Sequence, residues 1–168
     1  YSAVGVFDSG LGGLTALKEL RALLPHEHFI YFGDTGRVPY GNRGEDIIKE
    51  YARQDIRFLT GFDIKAIVVA CGTVSSVALP EIAGDYSVPI IGVVQPAARY
   101  AAKLTKNGKI GIIGTAATIK NGLYYRILKS VNPEFEIFQT PCPLFVPLAE
   151  NGYQNKEAAR LIAADYLH

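Results

Sequence analysis

The chain has 168 residues, 49% of them hydrophobic and 20% charged, with 17 basic against 16 acidic side chains and a net charge of +1. That is globular composition, with apolar material for one sizeable core or two modest ones, and it excludes a disordered chain. There is no basic stripe of the kind nucleic-acid binding needs, no apolar stretch near the roughly 20 residues of a membrane span, and no basic-then-apolar signal peptide. A small-molecule partner and a cytoplasmic location are therefore expected, with neither nucleic acid nor membrane required. Methionine is absent, including at position 1, so the ends are not expected to be those of an unprocessed translation product.

Taken in chain order, short apolar runs alternate with segments of helical period, the βαβ pattern of a largely parallel sheet. A strand is expected over Ala3–Phe7, running into Asp8 and the glycine-rich turn Ser9-Gly10-Leu11-Gly12-Gly13. Leu14, Leu17, Leu20 and Leu24 then recur at helical spacing and predict a core-facing stripe. His26 and His28 lie in a polar connection to a second strand, Phe29–Phe32. Ile48, Tyr51 or Ala52, Ile56 and Leu59 predict a second helix, and Ala66–Ala70 a third strand that ends at Cys71. Further strands are expected over Pro89–Val93, Lys109–Ile113 and Phe135–Gln139, and further helices over Thr118–Ser130 and Asn155–Leu167.

Val4-Gly5-Val6-Phe7-Asp8-Ser9 before a helix is echoed by Ile110-Gly111-Ile112-Ile113-Gly114-Thr115 before another. The echo predicts an α/β protein of two pseudo-symmetric, open, largely parallel sheet domains with flanking helices. The first spans residues 1–95 and the second 96–168. Carrying the spacing from Asp8 to Cys71 onto Gly114 puts a counterpart of the cysteine beyond His168, so the second domain is expected to be incomplete within this chain.

Chemistry concentrates at the strand ends. In an open α/β sheet the carboxyl ends of the strands line the ligand crevice, so Asp8 and Cys71 can face one substrate there. A carboxylate ending an apolar strand is costly to bury without a partner or a task, although capping of the following helix is a competing use. The glycine-rich turn offers backbone N–H groups to an anion, or is simply a tight turn needing positive φ. Cys71 is either a small buried hydrophobe or a thiol at a helix start, where orphan N–H groups and the helix dipole favour thiolate. Cys142, between Pro141 and Pro143, reads as structural, and both cysteines as reduced rather than bridged. The histidines have no metal-ligand spacing with either cysteine, and no Gly-x-Ser-x-Gly elbow occurs.

Five segments together carry a resemblance that none has singly: Val6-Phe-Asp-Ser-Gly-Leu-Gly-Gly-Leu-Thr15, Tyr31-Phe-Gly-Asp-Thr-Gly-Arg-Val-Pro-Tyr-Gly41, Val68-Val-Ala-Cys-Gly-Thr73, Ile113-Gly-Thr-Ala-Ala-Thr118 and Cys142-Pro-Leu-Phe-Val-Pro-Leu-Ala-Glu150. In residues, order and spacing the chain resembles the glutamate racemases. The resemblance implies an isomerase, independent of pyridoxal phosphate or any other cofactor, that interconverts L- and D-glutamate for bacterial peptidoglycan, and it implies a homodimer. In that family two cysteines flank the substrate α-carbon, one removing the proton as thiolate and the other delivering one to the opposite face. Cys71 matches the first, whereas the second lies in a Gly-Cys-Thr-His-Tyr-Pro motif that does not occur before His168.

The resemblance further implies roles for single residues. Asp8 matches the acid beside the thiol, and Glu150 an acid supporting the histidine of the absent motif. Asp8, Ser9, Tyr40, Gly41, Gly72 and Thr73 match substrate-binding positions, while Thr115 and Thr118 match hydroxyls near the glutamate side-chain carboxylate. The family has Asn-Thr-Ala after this cysteine where this chain has Gly72-Thr73-Val74, a lost amide contact of about 1–3 kcal/mol. Gly36, Gln95 and Ala97 also depart from the common pattern. Alternatives are a one-thiol relative such as a decarboxylase, another amino-acid racemase, or a catalytically silent amino-acid-binding protein.

Overall fold

A computed structural model describes residues 2–167; Tyr1 and His168 lie outside the described residues. The elements in chain order are β1 (Ala3–Asp8), α1 (Leu14–Leu23), β2 (Phe29–Gly33), α2 (Glu45–Leu59), β3 (Ile64–Val69), α3 (Gly72–Val77), α4 (Leu79–Ile82), β4 (Ile90–Gly92), α5 (Val94–Leu104), β5 (Lys109–Gly114), α6 (Ala116–Asn121), α7 (Leu123–Val131), β6 (Glu136–Pro141), α8 (Phe145–Glu150) and α9 (Glu157–Leu167). Every observed strand pairing is parallel. The first four strands form one sheet in the order β2-β1-β3-β4, and β5 pairs with β6 in a second.

Register decides what meets at the carboxyl edge. β1 lies between β2 and β3, with Phe7 opposite both Phe32 and Val69 and Asp8 opposite Gly33. Asp8 and the residues just after β3 therefore leave the sheet side by side, as a doubly wound topology requires at its ligand edge. β1 is almost wholly buried, and burial favours its run of small and apolar residues. On α2, Ile48, Ala52, Ile56 and Leu59 are fully buried, so the inward position of the alternative pair is Ala52, with Tyr51 half-buried beside it. These residues share a core with Phe7, Ile67, Val69, Val74 and Ile82. A second, smaller core joins Ala98 of α5, Ile110 and Ile112 of β5, Leu128 of α7 and Phe135.

Two expectations need correction. The leucine stripe of α1 does not face the core: no residue of that helix is buried, and Leu14 and Leu24 are 44% and 45% exposed. Its spacing is helical, but the described residues supply too little surface to cover the stripe. The single helix expected over Thr118–Ser130 is broken at Gly122, whose φ of 71° ends α6 in the left-handed region before α7 begins. A side chain at that position would be strained, and glycine is the residue that ends helices this way.

Sequence patterning also passed over α5 and α8. The short α8 contains Pro147, but at the third helical position, where the missing N–H has no intrahelical acceptor to lose. Among the described residues no helix is long and apolar enough to cross a membrane.

Candidate active site

The carboxyl edges of the two sheets face each other across a crevice of about 300 Å³. Asp8, Ser9, Tyr40, Gly41, Cys71, Gly72, Thr73, Thr115, Thr118 and Glu150 all line it, so the structure brings together the residues to which the resemblance gave a site role. The structure adds Ile113, Phe145, Val146 and Ala149, which lie within the quoted motifs but were given no role there, and Tyr124, which no motif marked, as apolar or amphipathic wall residues. Cys142, expected to be structural, is buried and also on the wall. Its N–H donates to the Gly114 carbonyl at 2.8 Å, and burial pushes its thiol up. Both cysteines are free.

On the first lip, Cys71 is the N-cap of α3, and the Val74 N–H points at its sulfur at 3.5 Å. Ser9 Oγ lies 3.3 Å from Cys71 Sγ. These contacts favour thiolate, as the sequence led one to expect, but they do not win. Burial is the larger effect, the Asp8 carboxylate adds to it, and together they hold the thiol above its ordinary value. A helix of six residues is a weak dipole set against near-complete desolvation, so the resting group is a protonated thiol. With 5% of its surface exposed, on the crevice side, it is enclosed without being sealed off.

Asp8 is held by the glycine-rich turn. Its Oδ2 accepts the Gly10 N–H at 3.0 Å, and the amides of Gly13 and Ser9 also favour the carboxylate. Burial, aided by the nearby Glu150, outweighs them and raises the carboxyl above the usual range. No side chain caps α1, so capping is not the use made of Asp8. None of Gly10, Gly12 and Gly13 has positive φ, which removes the simple-turn account of the motif. Close approach replaces it: a Cβ at Gly13 would sit 2.5 Å from Asp8 Cβ, and one at Gly10 2.4 Å from Glu150 Oε1. Glu150 in turn accepts the Leu11 N–H at 2.9 Å, fastening α8 to the same turn.

The opposite lip is neutral. Thr115 Oγ1 lies 2.9 Å from Thr73 Oγ1 and 3.0 Å from Thr118 Oγ1, tying α3 of the first sheet to α6 of the second through hydroxyls. Thr115 also caps α6, accepting the Thr118 N–H at 3.3 Å. Gly41 passes so close to Thr115 that a Cβ would meet it at 2.4 Å. Tyr40 reaches the crevice from a short 3-10 turn, Tyr40–Asn42, but its hydroxyl points away, to Asp34 and Asp55. Gly72 is the reverse of Gly41, since a Cβ there would meet nothing within 4 Å. Among the described residues no group of three or more His, Cys, Asp or Glu could hold a metal ion.

The fold and the site define an α/β protein with a buried acid–thiol pair facing a hydroxyl cluster at the carboxyl ends of parallel strands. The family model for Asp/Glu/hydantoin racemases matches residues 18–164, and the chain belongs to that family. A glutamate racemase of Geobacter metallireducens is 48% identical over 99% of this chain and 62% of its own length. One from Thermus thermophilus is 50% identical over 98% and 60%. Among solved structures, a glutamate racemase isoform of Bacillus anthracis superimposes with a TM-score of 0.95 at 36% identity, over 99% of this chain and 63% of that one. The glutamate racemase of Francisella tularensis in complex with D-glutamate gives 0.91 at 37%, over 99% and 62%. The chain thus spans about three fifths of the length of the relatives it matches.

Proposed function

We propose that the complete protein is a glutamate racemase in which Cys71 takes the α-hydrogen from one enantiomer of glutamate as a proton, while a second thiol delivers a proton to the opposite face of the α-carbon. The carrying observation is the pair at the ends of β1 and β3: a carboxyl and a thiol, each pushed above its ordinary value by burial, lining one crevice. Burial disfavours the charged form of both, and of the thiol above all, until a cation arrives. The α-ammonium of an amino acid is such a cation, and its entry favours the thiolate beside the atom to be deprotonated, so base strength appears only with substrate in place. Asp8 assists by engaging the ammonium or relaying the proton.

Removal of an α-hydrogen leaves developing negative charge that must be stabilised in a crevice shielded from water. Backbone N–H groups at the Ser9 and Gly41 turns, with the Thr73, Thr115 and Thr118 hydroxyls, satisfy the two carboxylates of glutamate without adding charge. No cofactor enters this scheme. The second acid belongs to the part of the complete protein that follows residue 168, with Glu150 positioned to support it. The same reading takes residues 1–95 and 96–168 as the two domains, the homodimer as the assembly, the cytoplasm as the location and peptidoglycan precursor synthesis as the use.

The test is exchange of the α-hydrogen of L- and D-glutamate in deuterium oxide by the complete protein, with inversion followed in parallel. Exchange with inversion is expected from either enantiomer, and binding without either would leave a silent amino-acid-binding protein. One observation favours a second reading, of a relative with altered substrate choice: the open space at Gly72, on the crevice wall beside the thiol. Under it, Gly72→Asn, which the space admits, improves glutamate turnover. No improvement would return Gly72 to a neutral variation.

A further inference from the structure

Behind the crevice wall the Tyr40 hydroxyl enters a buried polar cluster whose acids and arginine the racemase scheme does not use. Tyr40, Asp34 and Asp55 are 1%, 8% and 2% exposed. The Tyr40 hydroxyl is within hydrogen-bond distance of Asp34 Oδ2 and, at 2.7 Å, of Asp55 Oδ2. Arg37 closes the ring, its Nε donating to Asp34 Oδ2 and its Nη2 to Asp55 Oδ1 at 2.6 Å. Its Nη1 reaches Gln54, and the guanidinium lies over the Tyr51 ring.

Counting hydrogens shows what this arrangement requires. A phenol has one hydrogen to donate, yet its oxygen sits against two carboxyl oxygens. With both carboxylates ionised, one of those contacts is a repulsion between acceptors, and the cluster carries a net charge of −1 in a buried site. One added proton, on a carboxyl that donates to the phenol oxygen, satisfies every contact and brings the charge to zero. Asp55 is the more enclosed of the two acids. Burial, with the charge of Asp34 adding to it, pushes its carboxyl up to about 6 despite the hydrogen bond to Tyr40 and the charge of Arg37. The Tyr40 phenol is pushed up as well, and so stays neutral.

No other charge intrudes. On α2, Glu50 reaches the cluster only through Gln54, while Lys49 and Arg53 are paired with Glu81 and Asp85. α3 carries no charged residue, and Lys120 of α6 is exposed. On the adjoining strands, Asp8 of β1 turns to the crevice and Tyr31 of β2 donates to the Gly10 carbonyl.

The Tyr40–Asn42 turn that this ring grips presents Gly41 to Thr115, across the line where the two sheets meet. We propose that Asp55 is a positioning residue: the Asp34–Tyr40–Asp55–Arg37 cluster keeps one carboxyl proton, which locks the Tyr40–Gly41 turn against Thr115, and loss of that proton loosens this part of the crevice wall. The inference goes beyond the racemase reading and holds whether or not the crevice acts on glutamate.

The experiment is a carboxyl-13C and amide-15N NMR titration of the complete protein from about pH 4 to pH 8. The Asp55 carboxyl titrates near 6, and the amide signals of Gly41 and Thr115 move with the same midpoint. Asp55→Asn, whose amide donates permanently to the phenol, holds the Gly41 signal at its acid-side position throughout. Tyr40→Phe keeps the packing but removes the bridge, and uncouples Gly41 from the Asp55 titration. An Asp55 carboxyl in the ordinary carboxylate range overturns the proposal. So does a Gly41 signal that ignores the Asp55 titration, or one that still follows it in Tyr40→Phe. If Asp55→Asn fails to fold, the wild-type titration and Tyr40→Phe decide the question.

Discussion

The carboxyl ends of β1 and β5 both open onto the crevice and carry opposite chemistry. β1 runs into Asp8-Ser9 beside the Cys71 thiol, whereas β5 runs into Gly114-Thr115, backed by the Thr73 and Thr118 hydroxyls. One lip holds groups that exchange protons and whose charged forms burial disfavours; the other holds neutral donors that cannot titrate near neutral pH. A crevice built this way separates the reacting end of an amino acid from its anchoring end. The same βα unit serves both purposes because the residue leaving the strand, and not the strand itself, sets the chemistry.

Substitutions on the two lips should therefore differ in kind. Apart from the thiol itself, the largest effect is expected for Asp8→Asn in the complete protein, with kcat for glutamate falling about 100-fold or more and KM changing little. A change confined to KM would move Asp8 to the anchoring side. Next comes a stability effect away from both lips. The Asp55 carboxyl is about 6 in the fold against 3.8 in the unfolded chain, so the fold favours the neutral form. Its contribution is fully present below the unfolded value and is lost as pH rises through about 6, a span worth up to about 3 kcal/mol. Denaturant titrations between those limits should show Asp55→Asn gaining on wild type as pH rises, and parallel pH profiles would contradict this. Smallest is Thr118→Val, which removes one anchoring hydroxyl. KM should rise roughly tenfold, about 1.4 kcal/mol, with kcat nearly intact.

What the sequence made legible followed the strength of the local pattern. The strand ends that aim Asp8 and Cys71 could be read because an apolar run stops abruptly at a polar residue, and the α2 stripe because Ile48, Ile56 and Leu59 had a core to enter. The α1 stripe misled, since leucine spacing reports helix and a hydrophobic face but not whether the partner surface lies in the same stretch of chain. Gly122 was passed over because a helical period continues on both sides of it. Phe145, Val146 and Ala149 sit among prolines that obscured a short helix. The raised thiol could not be foreseen from the start of α3, because desolvation depends on what packs over the sulfur and no local motif encodes that. The Asp34–Tyr40–Asp55 cluster escaped for a related reason, as Asp55 reads on its own as one more polar residue of an amphipathic helix.

The account stands most directly on α-hydrogen exchange by Cys71→Ala in the complete protein, measured in deuterium oxide with L- and D-glutamate separately. If the thiol beside Asp8 is the group that takes hydrogen from one enantiomer, exchange from that enantiomer falls by about a thousandfold or more while glutamate still binds. Exchange from both enantiomers at the wild-type rate would contradict it.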